Sequence, residues 1–93
     1  NVAVAEHEIC HGLYDLVPKY QEAMKREVAA LPVGVQGEIN TRLEQEGYSE
    51  AVMVDEVQAY MATGLLDDLS HLEKYRHPFM KVFARYRRRH IRD

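Results

Sequence analysis

The stretch HEICHGLYDL (residues 7–16) carries a helical repeat. Its apolar residues Ile9, Leu13 and Leu16 recur at intervals of three and four, so they share one side of an α-helix. His7 and His11 are four residues apart and fall on the other side of that helix. Helical spacing continues along the chain, and no segment of useful length alternates as a strand does. We therefore predict an all-α bundle of five or six short helices.

Proline, glycine and capping residues define the predicted limits of these helices. Pro18 and Pro78 suit the first turn of a helix, Ser49 suits a cap, and Gly47 and Gly64 suit helix stops. The six predicted helices cover residues 2–16, 18–31, 35–46, 49–63, 67–77 and 78–92.

Length and composition limit the class of protein. The 93 residues suffice for one domain, residues 1–93, which we expect to be a fragment of a longer protein. Apolar residues make up 46% of the chain and charged residues 29%, which is typical of a globular protein. No apolar run approaches the ~20 residues of a membrane span. The lone cysteine, Cys10, rules out an internal disulfide and favours a reducing compartment such as the cytoplasm.

His7, Glu8 and His11 form the H-E-x-x-H pattern typical of a helical zinc site. Glu8 lies about 100° round the helix from His7, where it can act as a general base without being a ligand. Catalytic zinc takes three protein ligands, and we predict Glu56 as the third because it is an acid in an apolar stretch. Its neighbour Asp55 is placed to accept a hydrogen bond from a ligating histidine. The predicted site therefore lies between the HEICH and DEVQAY helices.

Together, His7, Glu8, His11 and Glu56 resemble the pattern of the gluzincin metallopeptidases. The resemblance implies that His7, His11 and Glu56 bind zinc, that Glu8 activates water, and that the substrate is a peptide or protein. It also implies a substrate-binding β-sheet ahead of the motif, where this chain has only residues 1–6. Either that sheet lies in a missing N-terminal segment of the parent protein, as we expect, or the chain binds its substrate differently.

The residue that stabilises the oxyanion is less clearly indicated by the sequence. Tyr60, one turn beyond Glu56, is the first choice, and Tyr14, His71 and His77 are alternatives.

A few further residues could supply the third ligand in place of Glu56. Glu44, Glu46 and Glu50 are alternative acids, but they lie in a polar stretch that favours a solvated helix end. Cys10 is a soft ligand in principle, yet its position favours packing as a small hydrophobe.

Gly12, in the middle of a helix, predicts the close approach of a neighbouring helix.

Two functions besides a zinc peptidase are compatible with the sequence. The first is a non-catalytic helical domain that binds zinc or another protein. The second is nucleic-acid binding through RYRRRHIRD (residues 85–93), which holds five arginines and one aspartate. We consider the second less favoured, because a net charge of −3 with +4 in this tail leaves −7 on residues 1–84.

Overall fold

The computed structural model describes residues 2–92, which form five α-helices and two 3-10 segments and contain no strand. The all-α prediction is confirmed. No helix in this range is long and apolar enough to cross a bilayer. The α-helices are α1 (Val2–Leu16), α2 (Pro18–Ala30), α3 (Val33–Gln45), α4 (Met53–Thr63) and α5 (His77–His90). The 3-10 segments are Glu50–Val52 and Asp67–Tyr75.

Helix α4 lies at the centre of the bundle and packs against the other four α-helices, most extensively against α1. Its sequence is apolar on several sides, as expected for a helix with neighbours all round. The apolar side chains that it buries are Met53, Val57, Ala59, Met61 and Ala62. The surrounding helices contribute the larger core side chains, including Tyr20, Met24, Ile39, Leu43 and Phe79.

The limits of α1 agree with the prediction, whereas those of α2, α3 and α5 differ from it by one or two residues. Helix α3 begins at Val33, because the connector ends at Pro32, whose carbonyl accepts the first helical bond from Gln36 at 3.0 Å. Helix α5 begins at His77 and ends at His90, after which the backbone is extended at Ile91 (φ −113°, ψ 126°).

The predicted α-helix over residues 67–77 is wrong in type, since Asp67–Tyr75 is a 3-10 helix. Leu66, Leu69, Leu72 and Tyr75 recur every three residues, and the three-residue turn of a 3-10 helix keeps them on one side. Leu69 and Leu72 are buried there.

The predicted helix start at Ser49 is also wrong. The Ser49 side chain makes no capping hydrogen bond, a 3-10 turn covers Glu50–Val52, and α4 begins at Met53.

Gly47 and Gly64 end α3 and α4 as predicted, and both have positive φ (103° and 144°). After α3, the Gly47 N–H donates to Glu44 O at 2.9 Å and the Tyr48 N–H donates to Leu43 O at 3.2 Å. These two bonds form a Schellman motif, which requires a left-handed residue at position 47. The motif turns Tyr48 back toward α4.

The packing of α1 differs from the expectation in two respects. The side with both histidines faces α4, as the predicted site between the HEICH and DEVQAY helices requires, but Leu16 on the apolar side of α1 is 78% exposed. Gly12 has no neighbouring heavy atom within 4 Å of an added Cβ, so the predicted close helix approach is wrong. Gly12 instead borders an open apolar groove.

Candidate metal centre

Helices α1 and α4 bring the three predicted ligands together. His7 and His11 are one turn apart, so both rings leave α1 toward α4. Glu56 leaves the first turns of α4 toward them. The three side chains are only 12–22% exposed, with Glu56 the most buried at 12%. They therefore share one mostly buried position between the two helices.

The Glu56 carboxylate lies between the two imidazole rings. Its Oε1 is 3.7 Å from Nε2 of His7, and its Oε2 is 3.3 Å from Nε2 of His11. One ligand atom from each of the three residues lies within 4.8 Å of the other two. Ligand atoms about 2.0–2.1 Å from a tetrahedral ion are about 3.3–3.4 Å apart. The observed spacing is therefore close to that of a three-ligand metal shell.

Asp55 determines which nitrogen of His11 carries the proton. Nδ1 of His11 is 2.9 Å from Oδ1 of Asp55, and Gln58 donates its amide to the same oxygen at 3.0 Å. A carboxylate accepts hydrogen bonds, so the ring must donate through Nδ1–H. A neutral imidazole has one N–H, which leaves Nε2 of His11 facing Glu56 with its lone pair.

Thr63 determines which nitrogen of His7 carries the proton. The Thr63 hydroxyl donates its single proton to Ala59 O at 2.6 Å, a bond within α4. Nδ1 of His7 is 3.2 Å from that hydroxyl oxygen and must therefore be the donor. Nε2 of the neutral ring is then a lone pair that also faces Glu56.

Three acceptors consequently converge on one point. Glu56 Oε1 is buried and has no hydrogen-bond partner within residues 2–92. Acceptors repel one another at this distance unless a proton or a cation lies between them, and an unsatisfied buried oxygen costs about 1–3 kcal/mol. Two imidazoles and a carboxylate are the ligand set of many catalytic zinc sites, and they also suit other divalent transition metals. The residues thus fit a metal ion of this class.

A cleft of about 400 Å³ opens beside His7. Its walls are formed by Ala3, Val4, His7, Glu8, Tyr60, Thr63, Gly64 and Leu65. Glu8 is exposed on this wall, and the Tyr60 ring meets the His7 ring edge-on with centroids 4.7 Å apart. The predicted base and the predicted oxyanion donor therefore share a cleft with one predicted ligand.

Tyr48 contacts Tyr60 from the side, with their hydroxyl oxygens 3.3 Å apart. The hydrogen bond to Tyr60 raises the pKa of Tyr48, and burial and the Glu56 charge act in the same direction. Tyr48 therefore keeps its proton. When Tyr48 donates it to Tyr60, the Tyr60 proton is free for another acceptor.

Cys10 is fully buried beside this site, and burial raises the pKa of its thiol to about 12. A protonated thiol is a poor metal ligand. Its interpretation as a small hydrophobe is confirmed, and within the described chain only His7, His11 and Glu56 form a group of three converging ligand atoms.

The remaining candidate residues lie in different surroundings. His71 pairs with Glu38 at 2.6 Å, and His77 is exposed at the start of α5. Tyr14 is half-buried, and burial raises the pKa of its hydroxyl. The three acids near Gly47 are exposed, and one of them pairs with Arg42 at 2.8 Å; they are Glu44, Glu46 and Glu50.

Three residues that hold the site together were not predicted from the sequence as site residues: Tyr48, Gln58 and Thr63. Each acts through a partner far away in the chain, which helical spacing alone does not identify. For Gln58 a signal was present, since an amide on a side of α4 that also carries Val54 and Met61 must find a buried partner.

Comparison of the chain with protein-family models, curated proteins and solved structures found no match.

Proposed function

We propose that this chain is a zinc-dependent hydrolase that cleaves peptide bonds. One observation carries the proposal: the Nε2 atoms of two imidazoles converge on a carboxylate with an unpartnered buried oxygen between α1 and α4. A catalytic zinc ion takes three such ligands and keeps one position for solvent or substrate. The ligands would be His7, His11 and Glu56.

Bound zinc would supply Lewis-acid chemistry, polarising a carbonyl group and acidifying water. The chain's own residues would handle the protons. The Glu8 carboxylate takes one proton from the attacking water as its oxygen bonds to the carbonyl carbon of the peptide. Glu8 then delivers that proton to the amide nitrogen as the C–N bond breaks. The products are a carboxylic acid and an amine.

Tyr60 is the proposed donor to the oxygen that gains negative charge. Tyr60 lines the same cleft as Glu8, and its hydroxyl oxygen is 3.3 Å from that of Tyr48. A donor already oriented toward the developing charge is worth about 10²–10³ in rate. The apolar Ala3, Val4 and Leu65 on the cleft wall favour an apolar side chain next to the scissile bond.

A second candidate keeps the metal and lacks the chemistry. Residues 2–92 contain no strand that could align an extended peptide, which favours a non-catalytic zinc-binding or protein-interaction domain. In that case zinc would join α1 to α4 and Glu8 would be a solvated surface residue.

Nucleic-acid binding through residues 85–93 has less support. Arg87 forms an ion pair with Glu6 at 2.9 Å, and the half-buried Tyr86 ring contacts Tyr20 and His90. These groups are engaged within the chain, so fewer of them are free for phosphates or bases.

Two measurements test the proposal in order. Elemental mass spectrometry of the purified chain should find about one zinc per chain, and the Glu56→Ala variant should lose it. Hydrolysis of a fluorogenic peptide library should then be abolished by Glu8→Gln while its zinc content is unchanged. Glu22→Gln, an exposed glutamate on α2, is the matched control and should behave as the native chain does.

Each outcome separates the candidates. Loss of hydrolysis in Glu8→Gln with full zinc supports the enzyme. Stoichiometric zinc without hydrolysis of any library member favours the non-catalytic domain. Absence of zinc after supplementation contradicts both.

A further inference from the structure

Gln58 occupies an unusual position for an amide side chain. Among residues 2–92, Gln58 is the one polar side chain that is buried, with 0% of its surface exposed. Its Oε1 accepts from the Tyr20 hydroxyl at 2.7 Å, and its Nε2 donates to Cys10 O at 3.3 Å and to Asp55 Oδ1 at 3.0 Å. The amide therefore links Tyr20 in the apolar core to Asp55, which accepts a hydrogen bond from the predicted ligand His11.

The direction of this chain of hydrogen bonds is determined by its ends. Burial raises the pKa of Tyr20, so its hydroxyl keeps the one proton that it donates to Gln58. With the amide reversed, its oxygen would face two further acceptors, the Cys10 carbonyl and the Asp55 carboxylate. Only the observed orientation satisfies all partners, and it requires Asp55 Oδ1 to be an acceptor.

Asp55 Oδ1 consequently receives two donors, the Gln58 amide and the His11 ring at 2.9 Å. The bond from Gln58 holds the Asp55 carboxylate in place. If the carboxylate rotated to serve a different proton on His11, its bond to Gln58 would break. The Gln58 bond to Cys10 O also ties the α1 backbone to α4 one residue before His11. Both the acceptor and the backbone of His11 are thus held by the same amide.

We propose that Gln58, supported by Tyr20, is a positioning residue that fixes the Nδ1–H tautomer of His11 and so presents Nε2 as a ligand. The metal-binding part of this proposal rests on the proposed function. The tautomer part does not, since it concerns the ring of His11 with or without an ion.

The test compares Gln58→Met, which keeps the length of the side chain, with Tyr20→Phe, which removes only the hydroxyl. Gln36→Met is the matched control, because Gln36 also donates to two backbone carbonyls, a part-buried one at Leu31 and an exposed one at Ala29, but far from the site in the chain. Nitrogen-15 NMR of histidine-labelled, metal-free protein identifies the tautomer of each ring in its neutral form. Chelator competition measures the dissociation constant for zinc.

In the native chain and in Gln36→Met, His11 should be the Nδ1–H tautomer. In Gln58→Met it should become a mixture, and zinc binding should weaken about 10- to 100-fold, the usual effect of losing a residue that orients a ligand. Tyr20→Phe should act in the same direction with a smaller change, because the amide keeps its bond to Asp55. The His7 tautomer, held by Thr63, should be unchanged in every variant.

A folded Gln58→Met that keeps the Nδ1–H tautomer and binds zinc within about twofold of the native chain would overturn the inference. If Gln58→Met does not fold, an unchanged tautomer and unchanged affinity in Tyr20→Phe would overturn it equally. A native chain that binds no zinc but shows the expected tautomers would contradict the proposed function and leave the role of Gln58 standing.

Discussion

Replacing Glu56 by glutamine should stabilise the metal-free protein, although the residue is central to the candidate site. When both rings are neutral, each presents a lone pair to the carboxylate. Glu56 Oε1 then has no partner within residues 2–92. Glutamine keeps the shape of the side chain, removes the charge and offers an N–H to an imidazole nitrogen. Relief of one unsatisfied buried oxygen is worth about 1–3 kcal/mol.

In a domain of this size, 1 kcal/mol corresponds to a shift in Tm of about 4–8 °C. Glu56→Gln should therefore melt at least ~4 °C above the native chain in the presence of a chelator. Zinc should reverse the order. At a free concentration 100 times its Kd, zinc adds about 2.7 kcal/mol to the native chain, and the variant, without its carboxylate ligand, should gain little.

Thermal and urea denaturation with chelator and with zinc measures both effects. Glu44→Gln, an exposed glutamate on α3, serves as the control and should change stability by less than about 0.5 kcal/mol in either condition. A Glu56→Gln variant that is less stable than the native chain in chelator would contradict this prediction, since the buried oxygen would then be satisfied in solution.

Three further predictions concern the site and the core. Tyr60→Phe should lower kcat about 10²–10³-fold with unchanged zinc content. The control Tyr14→Phe should leave kcat nearly unchanged. A parallel loss of zinc in Tyr60→Phe would contradict the role of its hydroxyl. Cys10, whose pKa burial raises to about 12, is protonated at neutral pH and should react with a thiol reagent only as fast as α1 opens. Reaction of Cys10 at the rate of a free thiol in native buffer would show that α1 is loosely held. Ile39→Ala should cost about 2–5 kcal/mol in urea denaturation, while Val33→Ala, at an exposed position, should cost less than about 0.5 kcal/mol.

The parts of the fold that were predictable are those encoded by nearby residues. Pro18 and the glycines at 47 and 64 act on their own backbone, so the ends of α2, α3 and α4 could be read locally. The helix over residues 67–77 was predicted from its start at Asp67 and its stop before Pro78, and these positions do not distinguish an α-helix from a 3-10 helix. A strict interval of three between Leu66, Leu69 and Leu72 was the available signal.

The ligands of the site were also predictable, since H-E-x-x-H is a local pattern and Glu56 is an acid among apolar residues. The hydrogen bond from a ligating histidine to Asp55 was predicted as well, because Asp55 is the neighbour of Glu56. The bond between His7 and Thr63 was not predicted, because it joins residues 56 positions apart. Helical spacing assigns a residue to a side of its own helix, but it gives no information on which helix lies opposite. Gly12 illustrates the same limit: its place in α1 was known, but the open groove beside it was not.

The contact between α1 and α4 also affects the lifetime of the folded chain. His11 and Asp55 are 44 positions apart, and α2 and α3 lie between them. An ion held by His7, His11 and Glu56 would cross-link α1 to α4 at the centre of the bundle. Local opening of α1 would then require release of the ion. Without the ion, α1 should be the first element to detach, with exchange of its amide protons and exposure of Cys10 as the visible signs. Metal supply would then determine how often proteases reach the chain, and the abundance of the protein would follow the availability of its ion.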